Sequence, residues 1–256
     1  MDKLTYVLSI AGHDPSAGAG LTSDLKTMEN HGVYGLSVCT AITIQNDVDF
    51  VKCHWIPVEQ ILEQIEIVFK RFEISVVKIG IVESLENLKL ILLKLKEFNP
   101  KIKVVLDPIL KASAGFDFHS NEVLKTWLDI WKQCFIVTPN YDEIQQLNSN
   151  TDWKSKLKEI NQFIHVYLKG GHRNDKLGWD EVYLKSGELI SIGPKVKSVY
   201  QKHGSGCVLS SALASNIALG LDLESACRKA KYYTEQFLNS HTSLLGVHLN
   251  IKKHDQ

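Results

Sequence analysis

The sequence predicts an α/β fold with a mainly parallel central sheet and helices on both faces. Three observations predict it. Short apolar runs with β-branched content alternate throughout the chain with stretches whose apolar residues recur at helical spacing. Gly, Pro, Asn and Asp cluster where the apolar runs end, as turn chemistry requires. No internal repeat or low-complexity linker divides the chain, so residues 1–256 are expected to form one domain.

The elements follow in order. Leu4–Ile10 reads as a buried strand, 21–30 as a helix and Leu36–Ile44 as a second strand. Pro57 suits the first turn of a helix on which Ile61, Leu62, Ile65, Val68 and Phe69 share one face. Val76–Ile79 is the next strand. Ser84 caps a helix over Leu85–Phe98, with Leu88, Ile91, Leu92 and Leu95 on its apolar side and Pro100 past its end. Strands follow at Lys103–Leu106, Phe135–Val137 and Ile164–Leu168, with a helix after Pro139 and a hairpin around Ser186-Gly187.

Composition narrows the function classes. The chain is 44% hydrophobic and 23% charged, and its 29 basic residues balance 29 acidic ones, which gives no excess charge for nucleic acid or a membrane surface. A small-molecule partner is expected. The N-terminus lacks the long apolar core of a leader, no later stretch reaches membrane-spanning length, and the expected address is the cytoplasm. Five scattered cysteines without a C-x-x-C pair argue for reduced thiols rather than a disulfide framework or zinc knuckle. The ten histidines show no H-E-x-x-H spacing.

In a parallel α/β sheet, ligands gather beyond the carboxyl ends of the strands. The distinctive polar residues fall there: Asp14–Gly20, Gln45-Asn46, Gly80, Asp107-Pro108, Thr138-Pro139-Asn140 and Lys169-Gly170-Gly171 each follow a predicted strand. Residues 203–212, His-Gly-Ser-Gly-Cys-Val-Leu-Ser-Ser-Ala, read as a loop turning into a helix. Backbone N–H groups of Gly204, Ser205 and Gly206 would converge there on an anion, and a helix N-terminus is expected to lower the pKa of Cys207. Gly-Ser-Gly is equally an ordinary loop sequence, and a lone buried cysteine is equally a small hydrophobe.

A G-x-x-x-x-G-K-[ST] loop and a G-x-G-x-x-G fingerprint are both absent from the sequence. The combination points instead to phosphoryl transfer. Asp107 and Glu143 could hold hydrated Mg2+, Lys169 could neutralise phosphate oxygens, and the Gly204–Cys207 turn could stabilise the transferred group. Taken singly, Asp107 as a turn cap, Glu143 as a solvent-facing helix residue and Lys169 as a strand-end charge are equally good readings.

Several motifs, in order from about Val7 to Tyr233, carry a resemblance: Ile10-Ala-Gly-His-Asp-Pro-Ser-Ala-Gly-Ala-Gly, Gly32-Val-Tyr-Gly, Thr43-Ile-Gln-Asn, Lys78-Ile-Gly-Ile, Leu106-Asp-Pro, Thr138-Pro-Asn with Glu143, Lys169-Gly-Gly-His and His203-Gly-Ser-Gly-Cys. The chain resembles the hydroxymethylpyrimidine/phosphomethylpyrimidine kinases of the ribokinase-like superfamily, which implies a three-layer α/β/α domain. The resemblance implies ATP- and Mg2+-dependent phosphorylation of 4-amino-5-hydroxymethyl-2-methylpyrimidine, commonly also of its monophosphate, toward thiamine diphosphate, by a homodimer. It assigns pyrimidine recognition to Asp24 and Gln45, the pocket wall to Gly12 and Ile81, and the magnesium and phosphate environment to Asp107, Asn140 and Glu143. It further assigns ATP phosphate contact to Lys169, the anion hole to Gly204, Ser205 and Gly206, and the base to Cys207.

The chain departs from the family pattern at His13 for a usual serine, Ile81 for a frequent methionine, Ala114 for a serine before Gly115, and Ser205 for the commoner threonine. Pyridoxal kinase is the nearest rival activity, since a related fold phosphorylates another hydroxymethyl heterocycle. A catalytically silent pyrimidine-binding protein is the rival of a different class.

Overall fold

The computed structural model describes residues 4–109, 124–146, 153–171, 176–196 and 199–248. Along them the chain runs β1 (Tyr6–His13), α1 (Gly20–Asn30), β2 (Tyr34–Gln45), β3 (Phe50–Trp55), α2 (Val58–Phe69), β4 (Ile74–Ile79), α3 (Leu85–Phe98) and β5 (Lys103–Leu106). It continues through α4 (Leu124–Trp131), β6 (Ile136–Val137), α5 (Tyr141–Gln146), α6 (Trp153–Asn161), β7 (His165–Leu168), β8 (Asp180–Tyr183), β9 (Leu189–Ile192), α7 (Ser205–Ala218) and α8 (Leu223–Leu238). Ala114 lies outside the described residues.

The strands form one sheet in the order β3-β2-β1-β4-β5-β6-β7-β8-β9. Neighbours from β2 through β7 are parallel, while β3 on one edge and the β8–β9 hairpin on the other pair antiparallel. The order reverses between β1 and β4, and a crevice opens at such a switch point.

Period-2 alternation divides the core into two layers. Leu8, Ile10, Val77 and Ile79 pack with Ile61 and Ile65 of α2, the buried Leu and Ile of α3, and Trp127 and Trp131 of α4. Val7 and Val76 point the other way, toward Met28 of α1, Val208 and Leu213 of α7, and Ala230 and Phe237 of α8. The Ser84 cap is present, its side chain accepting from Asn87 N at 3.1 Å, a contact of about 1 kcal/mol. Helix α7 is buried on nearly every side, and its run of Ser and Ala allows that close packing.

The structure corrects several boundaries. Strand β1 runs through Gly12 and His13, which hydrophobic periodicity does not count, with a register slip from β2 between Ala11 and Gly12. Gln45 does not follow β2 but ends it, paired with Phe50 of β3. Strand β3 goes unpredicted because an edge strand is half exposed on both faces and its apolar alternation is weak. Its signal is the turn: Asn46 Oδ1 accepts from Val48 N at 2.8 Å and from Asp49 N at 2.6 Å, closing the hairpin.

Candidate active site

The site is built on one row of backbone bonds. Past the last regular pair of each parallel strand, the ladder continues by a single step: Gly80 N to Ile10 O at 2.8 Å, Asp107 N to Ile79 O, Thr138 N to Leu106 O and Lys169 N to Pro139 O, each at 2.9 Å. The polar residues after the strands are therefore a crest of the sheet itself.

Two loops close over this crest. Asp14, buried just after β1, accepts from Ser16 N at 2.8 Å and Ala19 N at 2.9 Å, and its Oδ2 lies 2.9 Å from Nε2 of His203. Burial alone would raise the Asp14 carboxyl, but the His203, Ser16 and Ala19 hydrogen bonds hold it below the usual carboxylate range. The loop before α7 is thus tied to the loop before α1. Gly204 caps α7 with φ +76°, and a Cβ there would overlap the Gly18 carbonyl oxygen. A Cβ on Gly206 would lie 3.4 Å from Lys169 Nζ and 3.6 Å from Asp107 Oδ2. The glycines bring the first turn of a buried helix against the charged crest.

Lys169 Nζ sits 2.8 Å from Asp107 Oδ1 and 3.9 Å from Glu143 Oε2. Burial would strip the proton from Lys169; Asp107 and then Glu143 override it and hold the ammonium charged. Burial would likewise protonate Asp107, yet Lys169 and Lys78 keep its carboxyl below the usual range. Thr138 Oγ1 donates to the same carboxylate at 3.1 Å. Asn140 and Glu143 bond reciprocally: Glu143 Oε2 accepts from Asn140 N at 2.7 Å and Asn140 Oδ1 from Glu143 N at 2.8 Å, a capping box that orients the glutamate at the start of α5.

Cys207 corrects an expectation. Burial pushes its thiol up to about 11, and Asp24 and Asp107 add to the rise; the favourable influence of Lys78 does not offset them. The helix N-terminus was expected to lower this pKa, but desolvation wins.

A cavity of about 230 Å³ joins these groups. Gly12, Gln45, Ile81, Asp107, Asn140, Glu143, Lys169, Gly204, Ser205, Gly206 and Cys207 all line it. Asp24 does not, which corrects its expected role in recognition. It is fully buried in α1, with both oxygens engaged by Ser9, Ser211 and Lys78, and no face is left for a ligand. Lys78 and Thr43, which open two of the motifs but are assigned no role by them, also line the cavity, as does Phe50. A lysine inside an apolar strand was the available signal for Lys78; nothing local marks Phe50, which arrives through the unpredicted hairpin. A second cavity of about 400 Å³ shares Lys169, Gly171, Ser205 and Gly206 with the first and extends to Leu209, Val196 and Leu238.

Fold and site together define a class: a mainly parallel α/β protein that sets the glycine-rich first turn of a helix, a lysine and two carboxylates beside a thiol at its switch point. The chain belongs to the phosphomethylpyrimidine kinase family, whose model matches residues 14–252. It is 32% identical over 244 residues to the hydroxymethylpyrimidine/phosphomethylpyrimidine kinase of Aquifex aeolicus, covering 91% of this chain and 94% of that one. A chloroplastic thiamine biosynthetic bifunctional enzyme of Arabidopsis thaliana is 31% identical over 93% of this chain. The chain spans about half the length of that protein and of three other curated relatives it matches.

Among solved structures, the phosphomethylpyrimidine kinase of Clostridium difficile 630 superposes with a TM-score of 0.75 at 32% identity, covering 91% of this chain and 98% of that one. The pyridoxal kinase of Staphylococcus aureus in complex with ADP gives a TM-score of 0.82 at 22% identity over 99% of this chain and 96% of that one, a likeness of fold. The three-layer ribokinase-like architecture is the one observed. Among the described residues no helix is long and apolar enough to cross a membrane.

Proposed function

We propose that the protein transfers a phosphoryl group from ATP to the hydroxymethyl group of 4-amino-5-hydroxymethyl-2-methylpyrimidine, and then to the monophosphate so formed, in thiamine diphosphate biosynthesis. The observation that carries this reading is the convergence of Gln45, the lysine–carboxylate group, the Gly204–Gly206 cradle and Cys207 on one small cavity. Gln45 offers an acceptor and a donor suited to the amino and ring-nitrogen edge of the pyrimidine, with Gly12 and Ile81 as the wall. The adjoining cavity takes the nucleotide, so its terminal phosphate meets the shared residues Lys169, Ser205 and Gly206.

The residues fit Mg2+. Among the described residues no three His, Cys, Asp or Glu side chains converge to cage an ion, and Asp107 and Glu143 offer the one or two carboxylates that Mg2+ takes when phosphates and waters complete its shell. When bound there, it would neutralise phosphate charge. In the first transfer the substrate oxygen forms a bond to the γ-phosphorus, the bond to ADP breaks, and the hydroxyl proton passes to the Cys207 thiolate. Backbone N–H groups of the α7 turn hold the charge of the transferring group. In the second transfer the nucleophile is already an anion and needs no base.

A mass-resolved product assay with Mg2+, ATP and either the pyrimidine or pyridoxal tests the reading. One and then two phosphates on the pyrimidine, with pyridoxal left largely unmodified, are expected. Phosphorylation of pyridoxal alone, or no ATP consumption, would overturn it in favour of the rival kinase or a silent binder.

We further propose that the chain acts as one kinase domain and as a homodimer through the β2–β3 hairpin. On the hairpin, Ile42 and Ile44 share one face of β2 and are each 46% exposed, and Val51 in the edge strand β3 is 72% exposed. Sedimentation should give twice the 28.9 kDa chain mass, and Ile44→Glu should reduce it to the monomer. Five unpaired cysteines suit a reducing compartment, and the cytoplasm is the proposed location.

A further inference from the structure

A buried ion pair stands at the cavity wall without a part in the mechanism above. Lys78 lies within β4, opposite Ser9 of β1 in register, on the face where Val76 is apolar. It is fully buried. Its Nζ is 2.7 Å from Oδ2 of Asp24, and the same carboxylate accepts from Ser9 Oγ at 2.6 Å and from Ser211 Oγ at 2.7 Å. Two strands and α7 thus converge on one carboxylate of α1.

Packing does not account for this arrangement. Taking both charges out of water costs about as much as their attraction returns, and an apolar pair of the same volume would serve stability as well or better. Burial alone would drive Lys78 toward neutrality; Asp24 overrides it and holds the ammonium well above its usual range, whereas burial keeps the Asp24 carboxyl above the usual carboxylate range despite Lys78, Ser9 and Ser211. Lys78 is therefore the cationic member of the pair. It lines the same cavity as Cys207, whereas Asp24 stands behind the wall.

We propose that Lys78 is a positioning residue for Cys207: its ammonium, fixed by Asp24, is the cation that stabilises the Cys207 thiolate, and Asp24 sets how much of that charge the sulfur feels. The groups acting on the sulfur come from several elements of the fold. Lys78 from β4 and the Gly20 N–H of α1 favour the thiolate, while Asp24 of α1 and Asp107 after β5 oppose it. Lys169 after β7 is also coupled to the sulfur. The inference rests on Cys207 being the group that accepts the substrate proton, and its test runs without substrate so that the two can fail separately.

The test is the pH dependence of iodoacetamide alkylation at Cys207 in the full chain, followed at its own peptide by mass spectrometry. Only the thiolate reacts, so below the thiol pKa the rate tracks its population. Lys78→Met is expected to slow alkylation about tenfold at a given pH and Asp24→Asn to speed it about tenfold, one pKa unit in opposite directions. Lys78→Arg should stay near the parent.

A folded Lys78→Met with the parent's profile overturns the proposal, and so do two shifts in the same direction, the mark of a merely structural role. Should one of the two variants fail to fold, the sign of the other decides; should neither fold, the pair is structural and the proposal falls. Shifts of the expected signs alongside a Cys207→Ala enzyme that phosphorylates the alcohol at the parent's rate would leave the coupling standing and remove Cys207 as base.

Discussion

Cys207→Ala is expected to slow single-turnover phosphorylation of the hydroxymethyl substrate by about 10²–10⁴-fold, the span of general base catalysis, and to slow transfer to the monophosphate by less than about tenfold. The division follows from the nucleophiles. An alcohol must lose a proton as it attacks, and a phosphate monoester above its second ionisation near pH 6 carries none to lose. Equal proportional losses on the two substrates would sink the division.

The elevated thiol adds a second readout. With the pKa pushed up to about 11, the thiolate is scarce at neutral pH and its population grows about tenfold per pH unit below that value. The alcohol reaction of the parent should therefore rise with pH well beyond neutrality, while transfer to the monophosphate levels off once that substrate is fully ionised. The alanine variant should lose the rise.

Gly204→Ala and Gly206→Ala are expected to fail in different ways. At Gly204 a methyl group must adopt φ +76° and overlap the Gly18 carbonyl oxygen, which is backbone and cannot swing aside. Left-handed strain and overpacking together cost about 3 kcal/mol, lowering the melting temperature by about 6–12 °C and displacing the α7 turn. At Gly206 the added methyl meets Lys169 and Asp107 at ordinary contact distances, so the fold should persist. There it would occupy the space beside the lysine that the proposed mechanism gives to a phosphate oxygen, and the loss should appear in the KM for ATP and in kcat. A Gly206→Ala enzyme with parent kinetics would remove the cradle from the mechanism.

Much of this molecule could be read from the chain. The apolar runs mark the interior strands because parallel strands are buried on both faces, and Ser84 and Pro57 bracket their helices by local chemistry. The crest residues are legible for the same reason: turn-forming residues after buried strands are conspicuous, and Asp107, Glu143, Lys169 and Cys207 do line one cavity. What stayed hidden depends on partners distant in sequence. Asp24 reads as a polar helix residue, and only the approach of Ser9, Lys78 and Ser211 shows that it faces inward. Cys207 occupies the expected helix turn, but its ionisation is decided by the carboxylates and the burial around it. Strand β3 is too exposed to carry a periodic signal, and with it Phe50 was missed.

The cavity has two walls of unequal stiffness. The end lined by Asp107, Lys169 and Gly206 rests on the sheet crest and on a helix enclosed on nearly every side, whereas Gln45 and Phe50 reach the cavity from a hairpin at the margin of the sheet. On the proposed function, the heterocycle would be recognised at this edge of the sheet and the phosphoryl group transferred at its interior. Under that reading, substrate choice and phosphoryl transfer rest on separate parts of the fold and can be altered separately.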